Sequence, residues 1–171
     1  ALLSTPSLAL DRVRLEILHM GEKVDEMLAG ILPAIVSRDR EKLTEIERLD
    51  DSVDLLHSNI LGYMGKISKG TLTDIQTAEF LRLMEAVNDL ENIGDIVESG
   101  MVVAGYEVVD KGITISLSTQ KVLADFHGAV AKTVSAAVQA VSQNNQRAAE
   151  SVTVMKQDIQ RNQLRDTVVE K

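Results

Sequence analysis

The chain has 171 residues and a formal net charge of −8, from 26 acidic and 18 basic residues. It is 44% hydrophobic but only 2% aromatic, so its core must consist of aliphatic side chains, which favours packed helices over a β-sandwich. The sequence shows no basic face of the kind that nucleic-acid binders use, which argues against a nucleic-acid partner. It contains no cysteine, which excludes disulfides and thiolate metal sites. No apolar run approaches the roughly 20 residues that span a bilayer.

A first helix is predicted from Thr5-Pro6, an N-cap followed by proline, to about Ser37. We expect a kink near Gly30 and Pro33, because Pro33 cannot donate a backbone hydrogen bond to the preceding turn. The apolar residues of this helix alternate spacings of three and four, and they are Leu10, Val13, Ile17, Met20, Val24, Met27, Ile31 and Ala34.

A second helix is predicted to begin after Asp39, its N-cap, and to end at Lys69-Gly70. Its apolar residues fit the a and d positions of a heptad, which predicts that the a/d face is buried. These residues are Ile46, Leu49, Val53, Leu56, Ile60, Tyr63 and Ile67.

A third helix is predicted after Thr73, which forms a capping box with Gln76. Its apolar seam consists of Phe80, Leu83, Val87, Leu90, Gly94, Val97 and Met101. Residues 104–112 are less regular, and we interpret them as a connection rather than as helix.

A fourth helix is predicted from a cap at Ser116 or Ser118 through Val141, with a seam of Leu123, Phe126, Val130, Val134, Ala137 and Val141. A fifth helix carries Ala148, Val152, Met155 and Ile159 in step, and a sixth is absent or reduced to residues 164–171, where Asp166 and Glu170 are four apart. The predicted fold is therefore all-α. An antiparallel three-helix bundle (1–112) is followed by a second, incomplete bundle (113–171).

Two adjacent helices each carry a stripe of oxygen-bearing side chains beside the apolar seam. In the second helix the stripe consists of Glu47, Asp50, Asp54 and His57, and in the third it consists of Asn88, Glu91, Asp95 and Glu98. Carboxylates in such a line repel one another, and a cation held between the two helices would remove the repulsion. Hard oxygen ligands suit magnesium, calcium, manganese or iron, and His57 could add a nitrogen.

Gly94 fits this hypothesis, because a residue without a side chain on the seam lets a neighbouring backbone approach closely, at about 1 kcal/mol of helix propensity relative to alanine. The competing interpretation is that both stripes form a solvated face, which is the ordinary role of acidic residues at these positions.

The motifs "ENIGD" (91–95) and "DDSVD" (50–54) resemble the acidic signatures of the PhoU family. Proteins of that family are built from three-helix bundles, usually in tandem, and bind metal ions through these motifs. The resemblance implies that Asp50, Asp54, Glu91 and Asp95 are metal ligands, and Glu47, Asn88 and Glu98 are additions from the stripes. The metal implied is a divalent or trivalent ion, which includes zinc beside the ions named above. A second metal site in residues 113–171 is not expected, because Asp158 is the only acidic residue near the corresponding positions.

Residues 4–28 are similar to the segment that follows the membrane domain in bacterial sodium/phosphate cotransporter-like proteins, whose C-terminal portion is PhoU-like. This resemblance implies a regulatory domain of a sodium-dependent phosphate transporter, excised from a longer chain, on the cytoplasmic side of the plasma membrane. Its expected partners are the membrane transport domain of the same polypeptide and a second copy in a homodimer.

Two alternatives to this function stay open, namely a free-standing PhoU-type regulator of phosphate signalling and a metal-free structural bundle that dimerises through apolar edges. An enzyme is not expected. Glu16 and His19 have the spacing of a di-iron motif, but such sites need two of these motifs and two further glutamates. No phosphate loop or serine elbow occurs.

Overall fold

The computed structural model describes residues 5–143, 154–155 and 157–161. Among these residues the secondary structure is entirely helical, as the aliphatic composition predicts. The elements are α1 (Pro6–Ser37), α2 (Arg40–Ile67), α3 (Asp74–Asp95), a π-helix (Ile96–Val102, the π segment), α4 (Val103–Asp110) and α5 (Leu117–Ser142).

The helix starts lie where the capping signals predict them. The carboxylate of Asp39 accepts a hydrogen bond from the Lys42 backbone N–H at 3.0 Å, and both bonds of the capping box between Thr73 and Gln76 are present. Ser116 caps α5 by accepting from a backbone N–H. Because two residues join α1 to α2 and six join α2 to α3, consecutive helices run antiparallel and pack as a three-helix bundle.

The core of the bundle is formed by α1 and the seams of α2 and α3. Every predicted seam residue of α1 is buried, and α1 continues as one helix through Pro33. The seam of α3 from Phe80 to Val97 is buried as predicted. A partly buried ion pair between Arg14 and Glu79 also links α1 to α3.

The predicted buried face of α2 is rotated around the helix axis relative to the face that the structure buries. The a positions of the heptad are buried, but the d positions Leu49, Leu56 and Tyr63 are only half-buried. The e positions Leu43, Asp50 and Met64 are buried instead. The core-facing stripe therefore alternates three and four residues through a and e, and it includes an aspartate.

The prediction that residues 104–112 form a connection is wrong for 104–110, because the helix continues through the π segment into α4 and ends at Asp110; only Lys111 and Gly112 form a turn. Met101, predicted on the seam, is half-buried, and the core position belongs to Val102, which is fully buried. The cause is the π segment, which holds about one more residue per turn than an α-helix and shifts the seam by one position.

The chain divides into two compact units, Ala1–Ile113 and Thr114–Lys171. In the second unit the predicted seam of α5 is not buried. Leu123 and Phe126 are exposed, the later seam residues are half-buried, and the buried residues are Val138 and Ala140. Of the predicted fifth helix, Met155 is exposed and Ile159 half-buried, with residues 157–161 helical. Ala148, Val152, Asp166 and Glu170 lie outside the described residues.

Candidate metal centre

Asp50 lies on the buried face of α2 because the core takes the a and e positions of that helix. Its exposed fraction is 7%, and it is the only charged residue that is buried among those the structure describes. Its Oδ1 atom has no hydrogen-bond partner there. An ionised carboxylate in such a position costs free energy unless a cation or a hydrogen-bond donor compensates it.

Gly94 of α3 makes the space in which the Asp50 carboxylate lies. A Cβ atom added at residue 94 would lie 2.6 Å from Oδ1 of Asp50 and 3.4 Å from Cγ1 of Val53. The sequence predicted close approach at Gly94 but attributed it to a neighbouring backbone. The group that approaches is the side chain of Asp50.

Asp54 and Asp95 complete a group with Asp50. One carboxylate oxygen from each of the three residues lies within 4.8 Å of the other two, and Asp54 and Asp95 are exposed while Asp50 is buried. Asp54 follows Asp50 by one turn of α2, and Asp95 follows Gly94 at the end of α3. Oxygens bound to one Mg²⁺ or Ca²⁺ ion at about 2.0–2.6 Å lie no more than about 5 Å apart, so the spacing suits such an ion.

The negative charges around Asp50 affect the pKa of its carboxyl group. The pKa of Asp50 is raised from 3.8 to about 6, first by burial and then by the neighbouring carboxylates, of which Asp54 has the largest effect, followed by Asp95, Glu98 and Asp51. Each of these effects opposes a negative charge on Asp50. A bound cation would reverse that balance by favouring the ionised carboxylate.

Three further predicted ligands lie outside the group of three. Glu47 accepts a hydrogen bond from the Tyr106 hydroxyl at 2.7 Å. Glu98 lies in the π segment, near enough to Asp50 to affect its pKa, and Glu91 is half-buried on α3.

His57 and Asn88, also considered as ligands, contact each other instead. The Nε2 atom of His57 lies 3.0 Å from the Asn88 side-chain oxygen, in a hydrogen bond between α2 and α3. Within the part of the chain that the structure describes, Glu16 and His19 belong to no cluster of three or more potential metal ligands, and Glu16 makes an ion pair with Arg12 at 2.6 Å.

Residues 17–100 match the PhoU domain family. The match contains Asp50, Asp54, Gly94 and Asp95. The PhoU domain is a helical regulatory domain, and the helical fold of this chain agrees with it.

The chain is also similar to the protein named "Putative inorganic phosphate export protein YjbB" from Salmonella typhimurium LT2, Escherichia coli K12 and Shigella flexneri. Each relative is 28% identical over 111 residues, which cover 65% of this chain and 20% of the relative. The alignment thus spans about a fifth of the length of these relatives. Comparison with solved structures gives no significant match. Among the described residues, no helix has the length and apolar character that crossing a bilayer requires.

Three observations indicate that the group of three carboxylates could hold a metal ion. The donors are hard oxygens at a suitable spacing, the buried donor has an oxygen without a protein partner, and a glycine leaves the space that this donor occupies. Sequence reasoning found all three carboxylates because four-residue spacing marks them. It missed Tyr106 as the partner of Glu47, because the π segment that brings Tyr106 towards α2 has no simple sequence signature.

Proposed function

We propose that this chain is a PhoU-type regulatory domain of phosphate transport that binds a divalent or trivalent metal ion through Asp50, Asp54 and Asp95. The observation that carries the metal site is the buried carboxylate of Asp50, which has an unpartnered oxygen and two neighbouring carboxylates within 4.8 Å. The PhoU match and the similarity to a phosphate export protein support the phosphate-related role. The oxygen donors favour Mg²⁺, Mn²⁺, Ca²⁺ or iron over metals that prefer sulfur and nitrogen ligands.

The metal site is tested by isothermal titration of the purified, EDTA-treated chain with Mg²⁺, Mn²⁺, Ca²⁺, Zn²⁺ and Fe²⁺, the last without oxygen. We expect saturable binding of at least one ion, weakened at least tenfold by Asp54→Asn or Asp95→Asn. Asp51→Asn is the matched control, because Asp51 is exposed beside the site, lies outside the group of three and loses the same charge. Equal affinity in all four proteins, or no binding of any ion, contradicts the proposal.

The regulatory role is tested in cells that lack the gene encoding this chain and carry a plasmid copy. The proposed partner is a membrane transport domain of the same polypeptide, so the whole gene is expressed and [³²P]phosphate flux is measured in both directions. We expect Asp54→Asn to change the flux at unchanged protein level, and Asp51→Asn to leave it as in the wild type. Unchanged flux with Asp54→Asn contradicts a role of this site in transport.

A free-standing PhoU-type regulator is the second candidate, because the family match concerns the helical domain alone. The two candidates differ in what the gene encodes before Ala1. Transmembrane helices there support attachment to a transporter on the cytoplasmic side of the membrane, whereas their absence supports the free-standing regulator. The metal site is common to both.

We further propose that the chain forms a homodimer through α5. Four large apolar residues near the start of α5 are exposed, namely Leu117, Val122, Leu123 and Phe126. By helical spacing Val122, Leu123 and Phe126 lie on one face of α5, and exposed apolar residues grouped on one face are typical of an interface. Sedimentation velocity over a concentration series is expected to show a dimer that Phe126→Ser weakens, and a monomer at all concentrations contradicts this proposal.

A further inference from the structure

The apolar surface of α2 is larger than the core of the three-helix bundle uses. Its a and e positions face the core, but the d positions Leu49, Leu56 and Tyr63 are also apolar and follow one another at seven-residue spacing. These three residues, the d stripe, are only half-buried. A wide apolar surface on a helix indicates that the helix packs against more than one neighbour, so the d stripe is suited to a further element outside the core.

A cavity of about 360 Å³ lies on this stripe, between α1 and α2. Leu56 and Tyr63 of the d stripe line it, together with Ile60 of α2 and Val13 of α1. Because well-packed interiors leave few voids of this size, an apolar side chain that enters the cavity from outside the bundle would gain contacts on several sides. We call this cavity and the surface around it the α1/α2 groove.

Two charged residues of α1 lie at the rim of the groove. Arg12 and Glu16 both line the cavity, and they pair with each other at 2.6 Å across one helical turn. The Arg12 side chain is 57% exposed, and an exposed pair of this kind contributes little to the stability of the fold. The groove therefore suits a partner that carries an acidic and a basic residue one turn apart, beside a large apolar side chain.

α5 has this pattern on the face through which the homodimer is proposed to form. Lys121 and Asp125 are exposed and four residues apart. Val122 and Phe126, which follow them directly, are exposed apolar residues. Successive residues lie about 100° apart around a helix, so the two charges line one edge of the apolar face.

The charges of the groove and of α5 are complementary in one orientation. When α5 runs antiparallel to α1, Asp125 lies opposite Arg12. In the same orientation Lys121 lies opposite Glu16, whereas a parallel α5 would place like charges opposite each other, which is unfavourable. Phe126, next to Asp125, then lies beside the cavity that Arg12 helps to line.

We propose that the α1/α2 groove is the docking site for α5 of a second copy of this chain, with Phe126 seated in the cavity. This inference rests on the proposed homodimer. In a dimer with twofold symmetry the same contact forms twice, because each copy offers one groove and one α5, and the assembly closes without a free site. The second copy thus contributes the side chain that completes the groove.

Sedimentation velocity of full-length variants tests the charge pairing. Arg12→Glu and Asp125→Arg are each expected to raise the dissociation constant of the dimer at least fivefold, because each places like charges across the contact. The double variant should return towards the wild-type value, since it restores opposite charges. Arg82→Glu is the matched control, because Arg82 is an exposed arginine on α3, outside the groove.

Asn59→Trp tests the cavity without relying on charge. Asn59 is exposed and lines the cavity, so a tryptophan at this position can fill the groove from outside and leave the core unchanged. We expect the dissociation constant of the dimer to rise at least tenfold while the circular dichroism spectrum stays that of the wild type. Asn92→Trp is the control, because it adds the same side chain at an exposed asparagine of α3.

Crosslinking distinguishes a second copy from α5 of the same chain. The chain contains no cysteine, so Asn59→Cys and Lys121→Cys each carry one unique thiol. The two variants, with tags of different mass, are mixed and treated with a short bismaleimide. We expect a crosslinked species that contains one chain of each kind. A crosslink that forms only within single chains of the double variant overturns the proposal, because α5 of the same chain then covers the groove.

The outcomes separate this inference from the proposed homodimer. If the wild type is a monomer at all concentrations, both are overturned. If the wild type dimerises and Phe126→Ser weakens the dimer, but Asn59→Trp leaves it unchanged, the groove is overturned as the docking site and the dimer through α5 stands. Equal dissociation constants for Arg12→Glu and Arg82→Glu, or no mixed crosslink, also overturn docking in the groove.

Discussion

Asp50→Asn separates a functional aspartate from a structural one, because the two roles predict opposite changes in stability. The substitution keeps the size of the side chain and its fit against Gly94, but it removes the buried charge. If Asp50 mainly stabilised the fold, its loss would lower the free energy of unfolding. Since its Oδ1 has no partner and its neighbours are acidic, we expect Asp50→Asn to raise the free energy of unfolding in EDTA.

The size of this effect follows from the raised pKa of Asp50. The folded chain holds the pKa at about 6 against an ordinary value of 3.8, so the charged form weakens the fold above about pH 6. At 1.36 kcal/mol per pH unit, the penalty is at most about 3 kcal/mol at pH 8. It decreases as the pH falls through 6 and vanishes below about 4, where Asp50 is protonated in both the folded and the unfolded chain.

The assay is urea denaturation followed by circular dichroism, in EDTA, at pH 8 and at pH 4.5. Asp50→Asn should gain up to about 3 kcal/mol at pH 8 and much less at pH 4.5, whereas the control Asp51→Asn should stay within about 0.5 kcal/mol of wild type. With saturating ion this difference should largely disappear, because an ion at 100 times its dissociation constant stabilises the wild type by about 2.7 kcal/mol and the variant less. A destabilised Asp50→Asn at pH 8, or a gain that does not depend on pH, refutes this reasoning.

Four further substitutions are checked by the midpoint of urea denaturation. Gly94→Ala should destabilise the chain by about 1–3 kcal/mol and weaken ion binding, because the new Cβ would lie 2.6 Å from the Asp50 carboxylate, whereas Gly62→Ala in open space on α2 should stabilise by about 0.5–1 kcal/mol. Gly105→Ala should cost about 1–3 kcal/mol, since its Cβ would overlap a leucine side chain of α2. Thr73→Ala should cost about 1 kcal/mol by removing the cap of α3. Equal stability of Gly94→Ala and Gly62→Ala would contradict the role given to Gly94.

The helix starts and most seams are predictable from the sequence because they depend on local chemistry. Asp39, Thr73 and Ser116 each accept a hydrogen bond from a backbone N–H within three residues, so short motifs are enough to identify them. The seam of α1 follows from spacing alone. The three carboxylates of the candidate site were also found by spacing, since one helical turn separates Asp50 from Asp54.

The sequence prediction failed for the buried face of α2 and for the seam after Val97. In both places the sequence allows two apolar patterns, and a contact with another helix determines which one is buried. On α2 the d positions Leu49 and Leu56 are more hydrophobic than Asp50, so the sequence favours an a/d face. The structure buries the e position because Gly94 on α3 leaves room for Asp50. After Val97, two apolar stripes are available, and nothing local decides between them.

Asp50 and Gly94 each depart from the residue type that a core position or a helix interior favours, and the two residues meet in one contact. A leucine at position 50 and an alanine at position 94 would each suit the core and the helix better in isolation, but the observed pair packs a carboxylate against a glycine. Neither residue is the type that core packing or helix propensity favours at its position. Such departures from the favoured residue types are expected at functional sites. The carboxylate of Asp50 ends beside Asp54 and Asp95, at a spacing that a shared cation could bridge, so the proposed ion binding would account for both residues together.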